Sequence, residues 1–209
     1  DIGSGTGIFT PPLFDKGAKG FAVEMNDKMR QKAETSLEKF NNFISVNASA
    51  EATSLADNSV NFVTCAQSFH WFDKEKFKIE CNRILKQDGY VALIWNTRDM
   101  SSESVKELSN LTSKNCPKFV GFNGGTRVNE EMISEFYDGK YGYFEFDNPL
   151  DMTRKSLLSV AFQVRIHLKR VTKIIRLMLQ TVRNFSKNSK KTEYIKCLMC
   201  QSFILVRLN

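Results

Sequence analysis

The run Asp-Ile-Gly-Ser-Gly-Thr-Gly at residues 1–7 constrains the fold more than any other stretch of this chain. Glycines at every second position let the backbone turn tightly and approach a ligand closely, because no Cβ atom stands in the way. The dinucleotide-binding fingerprint spaces its glycines as G-x-G-x-x-G, so Gly3, Gly5 and Gly7 are one residue too close together for it. The run therefore predicts a ligand-binding turn of a related but different kind.

Segments of alternating strand and helix character follow the glycine run. We predict strands at 20–26, 42–51, 59–68 and 90–96, helices at 8–17, 27–40 and 72–89, and an alternating strand with an Asn-Pro turn at 141–153. Strands that alternate with helices imply right-handed crossovers and a parallel sheet covered on both faces. The sequence thus predicts an α/β, doubly wound, mostly parallel Rossmann-like sheet, with its ligand site at the carboxyl ends of the central strands.

The predicted sheet is incomplete at its first strand. In such folds the glycine turn follows a central strand, which here would occupy about five residues before Asp1. We therefore expect the chain to be a fragment that lacks this strand.

Two acidic residues indicate what kind of ligand the turn binds. Asp1 opens the glycine run, where a carboxylate repels a phosphate but suits an ammonium or a sulfonium group. Glu24 closes the strand predicted at 20–26, where a carboxylate can accept both hydroxyls of a ribose. An acidic residue, a glycine turn and a second acidic residue together predict that the ligand is a cationic nucleoside.

Five segments, in this order, resemble a known family: DIGSGTG, AVEMN, ASAEA, AQSFHWFD and RILKQDGYVALIWN. They are similar to class I S-adenosylmethionine-dependent methyltransferases of the type called methyltransferase domain 11, in the branch with Ala-Gln-x-x-His-Trp-Phe after the fourth strand. The resemblance covers about residues 1–150, which we predict to be the methyltransferase domain. It implies transfer of a methyl group from S-adenosylmethionine to a small-molecule acceptor.

The resemblance also implies a set of cofactor-binding residues. The backbone of Gly3 to Gly5 would lie against the methionine part of the cofactor, with Asp1 near its amino group. Glu24 would hold the ribose and Met25 would cover the adenine face. Ala50 and Glu51 would meet the adenine edge, and Ala66 and Gln67 would form the floor of the site next to the sulfonium. The full set is Asp1, Gly3, Ser4, Gly5, Glu24, Met25, Ala50, Glu51, Ala66 and Gln67. The alternatives are simple turn formation for the glycines, core packing for Met25 and a surface position for Glu24.

His70 is the candidate catalytic residue in the segment Ser68–Asp73. Its neutral imidazole can deprotonate an acceptor near neutral pH. Methyl transfer from a sulfonium also proceeds by alignment alone, so a structural or substrate-orienting role for His70 is the alternative. We expect Trp71 and Phe72 to pack beneath the site, with contact to the substrate as the alternative. Arg98 is expected to be a surface residue or to hold an anionic acceptor.

Composition excludes several classes of protein. The chain has no apolar run near the roughly 18 residues of a membrane span and no N-terminal secretion signal, so we expect a cytoplasmic protein without a membrane partner. Its five cysteines are odd in number and scattered, and Cys65, Cys81 and Cys116 show no metal-ligand spacing, which favours free thiols and no metal site.

Charge divides the chain into two parts. Residues 1–150 carry 17 Lys+Arg and 21 Asp+Glu, whereas residues 151–209 carry 13 and 2. A basic tail suits nucleic acid, which leaves an RNA-associated methyltransferase or a basic nucleic-acid-binding protein as the alternative function. RNA methyltransferases often carry a motif such as N-P-P-Y after the fourth strand of the family. At the corresponding place, around the end of the strand predicted at 59–68, this chain has AQSFHW instead, which favours a small-molecule acceptor over nucleic acid.

The tail at 151–209 also departs from the family pattern. Permitted codons can be chosen for residues 166–178 and 202–209 so that the same nucleotides, read two bases later, encode other peptides. These peptides are T-P-K-E-G-D-K-N-Y-P-A-Y and V-Y-I-G-E-I-E. They resemble two segments of the family that are missing from this chain. We therefore predict a frameshift between Leu157 and Ile166 and a non-native tail without the last strand. On this reading Cys197 and Cys200 form no metal site, and the chain is an inactive remnant of a methyltransferase gene.

Overall fold

The computed structural model describes residues 1–15, 17–115, 121, 129–153 and 194–207. The chain divides into two compact units, one formed by residues 1–96, 126–145 and 201–209, and the other by residues 97–125 and 146–200. The predicted frameshift region lies outside the described residues, as does most of the basic tail.

The first sheet is a parallel pair built from the sequence after the glycine run. Helix α1 (Thr10–Asp15) precedes strand β1 (Gly20–Val23), and helix α2 (Asp27–Leu37) connects β1 to strand β2 (Phe43–Val46). The Asn26 side chain accepts a hydrogen bond from the Met29 N–H and so caps the start of α2. The apolar side chains of this helix pack inward, with Ala33 and Leu37 buried.

The second sheet begins with another parallel pair. Strand β3 (Val60–Ala66) leads through a 3-10 turn at Phe69–Trp71 into helix α3 (Lys74–Ile84), which returns to strand β4 (Leu85–Arg98). Strands β5 (Gly142–Thr153) and β6 (Tyr194–Arg207) complete the order β3-β4-β6-β5. Helices α4 (Glu103–Asn115) and α5 (Glu130–Phe136) lie between β4 and β5 in the sequence.

Residues Asp1 to Gly3 join the two sheets. The Ile2 N–H donates to the Thr64 carbonyl of β3 at 2.8 Å, and the Gly3 N–H donates to the Val23 carbonyl of β1 at 2.9 Å. Ile2 also forms a parallel bridge with Val23. This is the bonding expected at the carboxyl end of a central strand, and it delivers the glycine turn to the carboxyl ends of β1 and β3.

The core lies between these strands and the helices that cover them. Phe69, just after β3, contacts Phe77 of α3, Trp95 of β4 and Phe136 of α5 with ring centroids 5.0 to 6.2 Å apart. Each of these aromatic residues is buried. The packing fixes the 3-10 turn against the sheet.

The helix predicted over 72–89 is shorter in the structure. It ends at Ile84, because Leu85 adopts an extended conformation, is buried and pairs with Val60 of β3. The ladder then shifts register before Phe62 pairs with Tyr90. Gly89 permits a close approach there, since a Cβ atom at this position would lie 2.6 Å from the Leu85 side chain.

Two features of the later part of the chain bear on the predictions. A strand, β6, occupies residues 194–207 between β4 and β5. The apolar character of residues 203–206 suits a strand in that place. The non-native tail and the missing native last strand stay predictions. Strand β5 continues through Asn148-Pro149, so the turn predicted there is wrong. The side chains of Cys197 and Cys200 are outside the described part of the structure.

Candidate functional site

A cleft of about 1150 Å³ opens at the carboxyl ends of β1 and β3, within the first unit. Its lining comes from segments that are far apart in the sequence. All ten predicted cofactor-binding residues line it: Asp1, Gly3, Ser4, Gly5, Glu24, Met25, Ala50, Glu51, Ala66 and Gln67.

The glycine turn has the conformation that its sequence requires. Gly3, Gly5 and Gly7 have φ angles of +65°, +57° and +77°, in the left-handed region that side chains rarely adopt. A Cβ atom on Gly3 would lie 2.6 Å from the Ser68 Cβ, so Gly3 also allows close contact between the turn and the segment after β3. A Cβ atom on Gly5 would meet nothing within 4 Å.

Two threonines hold the Asp1 side chain at the edge of the cleft. The Thr10 hydroxyl donates to Oδ2 at 2.8 Å, and the Thr64 hydroxyl donates to Oδ1 at 3.3 Å. Thr10 is fully buried and Thr64 nearly so. The carboxylate is therefore positioned by the fold before any ligand binds.

Backbone N–H groups hold the Glu24 carboxylate in a similar way. Its Oε2 accepts from the Gly5 N–H at 2.8 Å, and its Oε1 accepts from the Asn26 N–H at 2.8 Å. Glu24 is only 8% exposed, so the predicted alternative of a surface acid is wrong. This residue connects the end of β1 to the glycine turn.

Ser4 provides an independent indication of a ligand. Its Oγ is buried and has no hydrogen-bond partner among the described residues, although Ser4 lines the cleft. A buried hydroxyl without a partner costs free energy. A polar ligand in the cleft would satisfy it.

The remaining predicted residues lie at strand ends around the same cleft. Met25 is 68% exposed, which excludes the alternative that it packs in the core. The Glu51 carboxylate accepts from the Asp73 N–H at 3.0 Å. Gln67 has a φ of +58°, and its N–H donates to the Ile94 carbonyl of β4 at 2.9 Å.

Comparisons with known proteins agree with this geometry. Residues 1–93 match the family described as methyltransferase domain. An uncharacterized methyltransferase of Schizosaccharomyces pombe is 35% identical over 160 residues, which are 74% of this chain and 58% of that protein. An uncharacterized methyltransferase of Mycobacterium tuberculosis is 33% identical over 114 residues, 54% of this chain and 46% of that protein. Residues 1–93 thus resemble the methyltransferase domain family, and the relatives that the chain matches are named methyltransferases.

Solved structures support the fold of this chain. The YcgJ protein of Bacillus subtilis aligns with a TM-score of 0.58 at 18% identity, covering 100% of this chain and 91% of that one. A geranyl diphosphate C-methyltransferase of Streptomyces coelicolor, solved with S-adenosyl-L-homocysteine, aligns with a TM-score of 0.52 at 14% identity, covering 100% and 70%. The chain spans about half the length of the curated relatives it matches.

His70 does not line the cleft, although its neighbours Trp71 and Phe72 do. Its ring contacts that of Trp71, with centroids 4.8 Å apart. Burial and the nearby Lys74 ammonium lower the pKa of His70 below its usual value, so its imidazole is neutral at neutral pH. Its buried Nδ1 has no partner among the described residues.

Trp71 differs from the expectation that it packs beneath the site. It is 78% exposed at the cleft, because the 3-10 turn buries Phe69 and directs its last residue outward. Phe72 is half-buried and contacts Phe77, as expected of a packing residue.

Sequence reasoning missed several residues that line the cleft. They follow the glycine turn, lie at or near the start of α2, follow β3, or lie near the carboxyl end of β4: Ile8, Phe9, Asn26, Met29, Ser68 and Asn96. Position after a strand end was the available signal. Arg98 is not among the lining residues in the described part of the chain. Within that part, no helix has the length and apolar character needed to cross a membrane.

Proposed function

We propose that this chain binds S-adenosylmethionine in the cleft and transfers its methyl group to a small-molecule acceptor. One observation carries the proposal: residues from separate segments of the sequence, each at a strand end, line a single cleft in which two carboxylates are already held. Two such carboxylates beside a glycine turn suit a ligand that has both a positive charge and a ribose.

The charge of the lining supports a cationic ligand. Among the described residues that line the cleft, Asp1, Glu24 and Glu51 are acidic and none is a Lys, Arg or His. A cleft lined with one sign of charge attracts the opposite sign. This favours a sulfonium with its amino group over a phosphate.

Individual residues fit parts of S-adenosylmethionine. Each oxygen of Glu24 accepts one backbone N–H, and a carboxylate oxygen can accept a second bond, so both can also bind ribose hydroxyls. The unpartnered Ser4 Oγ suits the carboxylate or amino group of the methionine part. The exposed Met25 side chain suits the adenine face.

When held by the glycine turn and Glu24, S-adenosylmethionine would supply a methyl group that its sulfonium activates for attack by the lone pair of an acceptor. The chain contributes by orienting the two reactants and by excluding water. No described residue in the cleft lining is a histidine, so we propose positioning rather than a dedicated base as the main contribution.

The proposal includes a cytoplasmic location and an acceptor that is not a nucleic acid. Cys65 and Cys81 are free and buried thiols, as suits a reducing compartment. The expectation that the 209-residue chain is itself inactive stays a prediction. Binding rather than turnover is therefore the first test.

Calorimetry with S-adenosylhomocysteine tests the proposal. Glu24→Ala should weaken binding by about 1.5 to 3 kcal/mol, more than tenfold, because it removes charge-assisted hydrogen bonds to the ligand. Glu107→Ala is the matched control, since Glu107 is exposed on α4 and does not line the cleft. Equal affinity of both variants and the wild-type chain would remove Glu24 from the site, and no binding by a folded wild-type chain would contradict the proposal.

A further inference from the structure

We infer that Glu80, on helix α3, is a positioning residue that fixes the cleft-lining segment Ala50–Thr53 from behind. The inference rests on the proposed function and extends it to a residue outside the site. Helix α3 contributes no residue to the cleft lining among the described residues, so any effect of Glu80 on a ligand must pass through the segment that it holds.

One carboxylate oxygen of Glu80 accepts two hydrogen bonds from Thr53. Oε1 accepts from the Thr53 N–H at 2.7 Å and also from the Thr53 hydroxyl. Thr53 is fully buried and Glu80 is 6% exposed, so water does not compete for these bonds. Thr53 lies only two residues beyond Glu51, which lines the cleft.

Arg83 compensates the buried charge of Glu80. Its Nε and Nη2 donate to the two carboxylate oxygens at 2.8 Å each, in bidentate geometry. These bonds, together with those from Thr53, lower the pKa of Glu80 to about 2. The third guanidinium nitrogen donates to Asp57 at 2.5 Å, which ties the far end of the same loop to α3.

The segment is also attached to the start of the same helix. Glu51 accepts from the N–H of Asp73, the residue that caps α3. Around the first attachment the chain makes a tight turn, in which the Ala52 N–H donates to the Ser49 carbonyl. Glu51 and Thr53 are therefore both held by α3 and its cap, and Ala50 lies in the turn directly before them.

The chemical consequence concerns how the ligand is recognised. The family resemblance implies that Ala50 and Glu51 meet the adenine edge, where a small displacement changes which hydrogen bonds form. A charged, buried carboxylate that binds both donors of Thr53 leaves this segment little freedom. Loss of the charge should lower affinity and also weaken discrimination between bases.

Two ligands and two variants test the inference. Glu80→Gln keeps the shape of the side chain but presents an uncharged amide to Arg83. Lys78→Met is the matched control, because Lys78 lies on the same helix as Glu80 and forms a different ion pair, with Asp138. Binding of S-adenosylhomocysteine and of S-inosylhomocysteine is measured by calorimetry below the unfolding temperature of each variant. Glu80→Gln should weaken binding of S-adenosylhomocysteine about tenfold and reduce the preference for adenine over hypoxanthine.

Hydrogen exchange of the ligand-free protein separates this inference from the proposed function. Amides of Ala50, Glu51 and Thr53 should exchange faster in Glu80→Gln than in Lys78→Met. A Glu80→Gln chain that is less stable but keeps the exchange rates, affinity and base preference of the control would overturn the inference. A wild-type chain that binds neither ligand would contradict the proposed function, and the exchange rates would still decide whether Glu80 positions the segment.

Discussion

The two walls of the cleft differ in how their side chains are held. The polar wall, formed by residues 1–7, 23–26 and 48–51, holds its carboxylates with threonine hydroxyls and backbone N–H groups. The aromatic wall, formed by the cleft-lining residues between 66 and 72, exposes Trp71. The carboxylates of the polar wall are thus fixed before a ligand binds, whereas the Trp71 ring of the aromatic wall is exposed.

The largest expected effect comes from the point where the walls meet. Gly3→Ala combines a left-handed φ with a Cβ atom 2.6 Å from the Ser68 Cβ, so it should lower the free energy of unfolding by about 3 kcal/mol or more. Gly5→Ala has a similar φ but open space, and should cost about 1 to 2 kcal/mol. Urea unfolding of both variants measures the difference, and equal losses would show that the walls do not touch at Gly3.

Within the aromatic wall, two neighbouring residues should behave differently. Phe72→Ala removes a half-buried ring that lies 4.9 Å from the Phe77 ring and should cost about 3 kcal/mol of stability. Trp71→Ala should change stability by less than about 0.5 kcal/mol, because Trp71 is 78% exposed. Thermal unfolding of the two variants compares them. A large loss for Trp71→Ala would mean that its ring packs in solution.

The outcome for Trp71 illustrates how far the sequence could predict this molecule. Local signals identified the glycine turn, Glu24 at the end of β1 and the alternation of strands and helices, since each depends on neighbouring residues. The end of α3 at Ile84 depends on Leu85 pairing with Val60, which is 25 residues away in the sequence. The exposure of Trp71 depends on which residue of the 3-10 turn enters the core, and an aromatic run does not specify that.

Low pH should weaken the hydrogen bonds by which Glu80 holds the segment after residue 50, because protonation removes the charge of its carboxylate. Its pKa is about 2 in the folded chain against an ordinary value of 4.5. A lowered carboxyl pKa stabilises the fold fully above pH 4.5, and this stabilisation is lost as the pH falls toward 2. The stability difference between wild type and Glu80→Gln should be about 2 kcal/mol at pH 7 and should shrink steadily below pH 4.5.

Urea unfolding at a series of pH values checks this expectation. Glu107→Gln provides the control, because Glu107 is exposed, and its difference from wild type should stay near zero throughout. A difference for Glu80→Gln that does not change with pH would show that Glu80 acts through packing rather than through its charge.

The smallest effect on ligand binding is expected at His70, which lies next to the aromatic wall but does not line the cleft. Burial and Lys74 lower the pKa of His70, so the folded chain should resist protonation of the ring. The neutral form therefore contributes stability that is present above pH 6.5. This contribution should be lost as the pH falls from 6.5, the ordinary pKa, toward the lowered pKa of the folded chain. Imidazole proton resonances followed by NMR should therefore titrate below pH 6.5. His70→Asn should leave binding of S-adenosylhomocysteine within about twofold, since His70 does not line the cleft. A loss of tenfold or more, or a titration above the ordinary value, would bring His70 into the site and restore its candidacy as the base.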